Sequence, residues 1–159
     1  MGGKSERIRE QAKAFAREGF DPRFFGYFVC FNRTDYYEAH DVLEDLWLEE
    51  GRAGKNYPFF KGLIQVAGAF VHLKLHHRFP DHHAHGRRLE PAGRLLKLAL
   101  ANLAPYPSGH LSVPLDEIRA LAAETLEELA SSGHRVNPWQ PDRAPQIPLP
   151  TRPLVPPSM

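Results

Sequence analysis

Residues Pro58–Arg78, PFFKGLIQVAGAFVHLKLHHR, settle the architecture. Phe59, Phe60, Leu63, Ile64, Val66, Phe70, Val71 and Leu73 place apolar side chains nearly all round a helix, and a helix apolar on every side is a buried one. Other helices must therefore surround it. Pro58 suits a first turn, and Phe79-Pro80 ends the segment, because the residue before a proline is pushed out of helical geometry. One narrow polar stripe remains: Lys61, Gln65, His72 and His76, with the small residues Gly68 and Ala69 among them.

The flanking sequence keeps helical spacing, and no convincing two-residue alternation is present. Ile8, Ala12 and Phe15 form a stripe on a first helix ending at Gly19. Asp21-Pro22 reads as a cap followed by a proline at the first helical position, opening an aromatic-rich helix through Phe24, Phe25 and Phe28. Asn32 or Thr34 caps the next helix, which Gly51 and Gly54 close. Beyond the central helix, Ala92, Leu95, Leu96, Ala99, Leu100 and Leu103 mark another, with Pro91 confined to its first turn. Leu115, Ile118, Ala122, Leu126 and Leu129 mark the last, from about Ser112 to Gly133. The expectation is an all-α, single-domain bundle of about five helices. Residues 1–19 form an N-terminal helix, 20–133 the bundle, and 134–159 a proline-rich tail. Eight of the last 23 residues are proline, so the tail is extended, with Trp139, Ile147, Leu149 and Leu154 able to lie along the body.

Composition narrows the functional classes. A chain of 159 residues with 42% hydrophobic and 25% charged residues is one soluble globular domain. A net charge of +1 and scattered basic residues argue against nucleic acid. No stretch reaches the roughly 20 apolar residues of a membrane span, and the N-terminus lacks the apolar core of a secretion signal. The single cysteine, Cys30, excludes an internal disulfide and fits a reducing compartment. A cytoplasmic protein is expected, and the aromatic content suggests a homodimer.

The polar residues of Tyr36–Trp47, YYEAHDVLEDLW, carry the functional question. At about 100° per residue, Tyr36, Tyr37, Leu43, Glu44 and Trp47 fall within about 60° of His40. Glu38, Asp41, Asp45 and Glu49 fall at least about 100° away, which reads as a solvated face without function. His40 and Glu44, one turn apart among aromatic residues, are then a buried pair, costly unless they bond each other. Two readings stay open. The pair locks helix register, or it lines a pocket with Tyr36, Tyr37, Trp47 and Gln65, where Glu44 and His40 are the candidates for acid–base chemistry.

A metal version of the second reading adds His72, if Gly68 and Ala69 let the two helices approach closely. His40, Glu44 and His72 would hold a divalent ion with an open position; without H-E-x-x-H spacing, no metal or other cofactor is preferred. Asp81-His82-His83-Ala84-His85 reads as a loop of adventitious metal affinity. The preferred function is a non-enzymatic binding or assembly module with a structural His–Glu pair, its small-molecule ligand unassigned. The alternative is a metal-dependent hydrolase with its site between the two central helices.

Phe31-Asn32 ahead of Tyr36-Tyr37-Glu38-Ala39-His40, with the H-x-x-x-E-x-x-W of His40, Glu44 and Trp47, resembles the bacterial and archaeal family known as domain of unknown function 309. Phe60-Lys61-Gly62-Leu63-Ile64-Gln65, His72, Leu103 and Tyr106-Pro107 resemble it as well, over roughly residues 20 to 120. The resemblance implies a small all-helical protein in which His40, Glu44, Trp47, Gln65 and His72 belong together. It brings no established activity.

Overall fold

A computed structural model describes residues 3–82 and 87–151. Among these residues six α-helices follow in order: α1 (Gly3–Ala12), α2 (Pro22–Asn32), α3 (Tyr36–Glu50), α4 (Tyr57–Arg78), α5 (Leu89–Leu103) and α6 (Leu115–Ser131). Among the described residues no strand forms, only an isolated bridge between Arg17 and Phe20. The all-α expectation holds. The His-rich loop lies mostly outside the described residues, as does Leu154.

Local chemistry sets most boundaries. Asp21 caps α2, its side chain accepting from the Arg23 N–H at 2.8 Å, with Pro22 beside it. Gly51, at φ 74°, ends α3 in left-handed geometry that residues with a Cβ resist. Pro91 lies in the first turn of α5, where its missing N–H costs nothing. The cap of α3 is Asp35, without a side-chain bond, rather than Asn32 or Thr34. Asn32 is engaged elsewhere: its amide donates to Ile147 O at 2.9 Å and accepts from Ile147 N–H at 2.7 Å.

Helix α4 is central, packed between α3 and α5. A chain of edge-to-face aromatic contacts joins α2, α3 and α4: Phe24–Phe28, Phe31–Tyr36 and Phe31–Phe70. Tyr27, wholly buried, donates its hydroxyl to Leu63 O at 2.5 Å. The small residues of α4 open it towards α5. A Cβ on Gly62 would lie 2.7 Å from Leu103 Cγ, and one on Gly68 would lie 3.3 Å from Leu95 Cδ1. The close approach allowed by Gly68 is thus to α5, not to α3.

The described part of the proline-rich segment, residues 134–151, is extended apart from a 3-10 turn at Pro141–Arg143 and lies against α2, α3 and α4. Trp139 is 4% exposed and donates its indole N–H to the Tyr36 hydroxyl at 2.9 Å, while Ile147 is 3% exposed. Phe24, Phe25, Phe28, Phe31, Phe59, Phe60, Phe70, Tyr27, Tyr36 and Trp139 are all buried. Most of the aromatic residues that suggested a dimer lie inside the chain's own core, while Tyr37 and Phe79 are exposed.

Candidate functional site

The core-facing direction of α3 runs through Ala39, which with Tyr36, Val42 and Leu43 is essentially inaccessible. That direction is about 100° from His40. His40 and Glu44 therefore sit at the margin of the buried face, with side chains 32% and 29% exposed. Their contact is loose, His40 Nε2 to Glu44 Oε2 at 4.0 Å. Glu44 Oε1 also faces Lys4 Nζ at 3.6 Å, and His40 Nδ1 lies 3.2 Å from Asp41 Oδ1. The buried His–Glu pair expected from the sequence is a half-exposed one shared with Asp41 and Lys4.

The other candidates divide between two faces. Tyr36 is buried as the acceptor of the Trp139 indole, whereas Tyr37 is 69% exposed. Trp47 packs on Tyr57, with Lys61 Nζ 5.9 Å from its ring centroid, and its buried indole N–H has no hydrogen-bond partner among the described residues. Gln65 Oε1 accepts from Asn102 Nδ2 at 2.7 Å, so it faces α5. His72 also turns that way: its Nδ1 lies 3.0 Å from Arg88 Nη1. Burial, with Arg88 and Arg94 close by, lowers its pKa to about 4. A neutral His72 accepting from Arg88 is committed to a different contact, and the set His40, Glu44, His72 is not assembled. Among the described residues, the ligand-type atoms that do gather are those of His40, Asp41 and Glu44, within 4.8 Å of one another.

Beside this cluster lies a cavity of about 580 Å³ between α1, the start of α3 and the end of α4. Ile8, Val42, Val71 and Leu75 supply its apolar lining. Lys4, Arg7, Lys74 and Arg78 line it from α1 and α4, and Asp35, Glu38 and Asp41 from the α3 end. Lys74 is fixed by donation to Thr34 O at 2.8 Å. Cys30, under this end of α3, is buried against Glu38, which together push its thiol up to about 12; a neutral thiol is no nucleophile.

The candidates taken from the sequence, Tyr36, Tyr37, His40, Glu44, Trp47, Gln65 and His72, all fall on α3 and α4. Residues 24–78 match the family model of DUF309, a domain of unknown function. No curated protein and no solved structure matches the chain. The match is shorter than the roughly 20 to 120 suggested by motif and leaves out Leu103 and Tyr106-Pro107. It covers nearly all of α2 and the whole of α3 and α4. The residues quoted for the resemblance between Phe31 and His72 lie inside the matched span. The α1 wall of the groove, with Lys4, Arg7 and Ile8, lies outside the DUF309 segment.

Asp45 was read from the sequence as a solvated acid, and the structure reverses that. Its side chain is 4% exposed. It accepts from Ser5 Oγ, from Arg9 Nε at 3.1 Å and from Arg23 Nη1 at 2.6 Å. Arg23 is nearly as buried and also bonds Asp21 and Glu49. Burial alone would raise the Asp45 pKa, but these hydrogen bonds outweigh it and the carboxyl is held below its usual range. The Arg23 guanidinium is shifted up, chiefly by Asp21. This network ties α1 to α2 and α3 and so holds the groove's outer wall. The signal was present in the sequence: Ala39, Val42 and Leu46 share the side of α3 opposite Glu44.

Proposed function

We propose that the protein is a non-enzymatic binding module whose groove between α1, α3 and α4 holds a short peptide segment of a partner. The observation that carries this reading is the groove: about 580 Å³, within the roughly 300–1,000 Å³ of ligand sites, with an apolar lining and charge divided by side. Arg7 is exposed and forms no ion pair with a described carboxylate, and Asp35 on the other side forms none with a described cation. Charges left over on opposite walls favour a segment that is apolar in the middle and carries acids towards α1 and basic groups towards the start of α3. Against catalysis stands the dispersal of the acid–base candidates, with Glu44 shared between His40 and Lys4 and His72 turned to Arg88.

A display selection of random peptides on the immobilised full chain, followed by calorimetric titration, tests the reading. Recovered peptides should lose at least tenfold affinity for Val71→Lys, which places a charge in the lining, and should weaken for Arg7→Glu. Peptides that bind both variants as tightly as the unaltered chain would reject the groove.

A second reading, a divalent cation on His40, Asp41 and Glu44, rests on the 4.8 Å grouping of their ligand atoms. The two carboxylates approach different ring nitrogens of His40, so a single ion would require one side chain to swing. After replacement of His82, His83 and His85, no stoichiometric metal is expected. One equivalent that disappears with Glu44→Gln would favour this second reading and reopen the hydrolase alternative.

A further inference from the structure

A second cavity, of about 400 Å³, opens between the end of α4, the start of α5 and the chain leaving α6. Its lining is His76, Arg87, Leu89, Glu90, His134 and Arg135. Four of the six are basic side chains, from three separate parts of the fold, against one carboxylate. Arg87 and Arg135 are exposed, and neither has an ion-pair partner among the described residues. Guanidinium groups offer planar, paired N–H donors suited to oxyanions.

Both imidazoles are held in place. Trp139 N–H donates to Asn137 Oδ1 at 2.9 Å, which fixes the orientation of that amide. Asn137 Nδ2 then donates to Leu73 O at 2.8 Å and lies 3.2 Å from His76 Nδ1. Because an amide nitrogen only donates, His76 Nδ1 accepts, and the proton of the neutral ring sits on Nε2. Burial, then the neighbouring His77, lower the His76 pKa, in keeping with that neutral form.

His134 is seated by backbone and by a gap. Its N–H donates to Leu129 O at 2.8 Å and Gly133 N–H to Ala130 O at 3.0 Å, the paired bonds that close a helix end. His134 adopts φ 61°, a left-handed conformation unusual for a residue with a side chain. Its ring lies over Gly93, where an added Cβ would come 2.7 Å from Nε2. The same bonds occupy carbonyls at the end of α6 that would otherwise repel an anion. On the opposite wall, α5 begins at Leu89 without a side-chain cap, so its positive end offsets part of the negative ends of α4 and α6.

We propose that this cavity binds the phosphate group of a small ligand. Arg87 and Arg135 supply the charge and paired donors, His76 a neutral N–H, and His134 a wall that only glycine at position 93 can admit. The site is separate from the α1–α3–α4 groove and does not depend on its occupant.

The test uses the full chain and inorganic phosphate at constant ionic strength, followed by amide chemical shifts. Saturable one-to-one binding is expected, with shifts centred on Leu89, Glu90, His134 and Arg135. Arg87→Gln and Arg135→Gln should each weaken it at least fivefold. Gly93→Ala should weaken it by displacing His134, and Arg52→Gln, an exposed arginine in the turn after α3, should leave it unchanged. A phosphomonoester that binds more tightly than inorganic phosphate would assign the group to an organic ligand, and equal binding would assign it to the free anion. Linear shifts shared by chloride and phosphate, or unchanged affinity in both arginine variants, would overturn the proposal.

Discussion

Replacing Asp45 with alanine removes the centre of the network that fastens α1 to the bundle. The carboxylate loses hydrogen bonds from Ser5, Arg9 and Arg23, and bonds to charged groups are worth about 1.5–3 kcal/mol each when both partners are buried. The three losses do not count equally. Arg9 is 53% exposed, so water replaces its bond at little cost. Arg23 is 9% exposed but keeps Asp21 at 2.8 Å and Glu49 at 3.0 Å. It is therefore not stranded, and the penalty stays below the roughly 3–5 kcal/mol of an orphaned buried charge.

A loss of about 2–3 kcal/mol is expected, against about 1 kcal/mol for Asp45→Asn, which keeps an acceptor oxygen. At about 2–4 °C per kcal/mol for a chain of this size, Asp45→Ala should melt roughly 4–12 °C lower. Urea denaturation at unchanged slope measures the effect directly. A double-mutant cycle should couple Asp45 to Arg23 strongly and to Arg9 by less than about 1 kcal/mol. If Asp45→Ala costs under about 0.5 kcal/mol, as surface changes do, α3 is turned the other way and the network is not a fastening.

Other expectations follow from the same geometry. Glu44→Gln and Glu44→Leu should both stay within about 0.5 kcal/mol in denaturant unfolding, since the carboxylate is partly solvated and its partners are loose; a large penalty for leucine would mean a buried pair. Trp139→Ala should cost about 3–5 kcal/mol, because it uncovers Tyr36; an unchanged urea midpoint would show that the tail only rests on the body. His72 binds its proton more weakly in the fold, at about 4 against 6.5. Stability from its neutral state is therefore complete above pH 6.5 and lost as pH falls towards 4, by at most about 1.4 kcal/mol per pH unit. His72→Gln, which can still accept from Arg88, should flatten that part of the stability–pH profile.

The helices were legible because burial repeats with the helical period and because Asp21-Pro22, Gly51 and Phe79-Pro80 punctuate it. The rotation of α3 was not read correctly. Centring the wheel on His40 gave weight to large aromatic side chains and none to Ala39 or Val42, although the small alanine marks the direction of closest packing. Gly68 and Ala69 suggest an approach by α3, but small residues carry no sign of which neighbour comes close, and the polar stripe Gln65–His72 faces α5 with Gly68. The docking of Trp139 and Ile147 could not be read from periodicity at all, because an extended proline-rich segment has none. The groove was hidden for another reason: its walls are far apart in sequence, and its α1 side looks like an ordinary charged helix.

The groove assignment is tested most directly by mapping a selected peptide onto the full chain through methyl chemical shifts. The proposal predicts saturating shifts at Ile8, Val42, Val71 and Leu75, the apolar lining shared by α1, α3 and α4, and their loss in Val71→Lys. Shifts confined to α5, α6 or the outer faces of the bundle, with those four methyl groups unmoved, would contradict it.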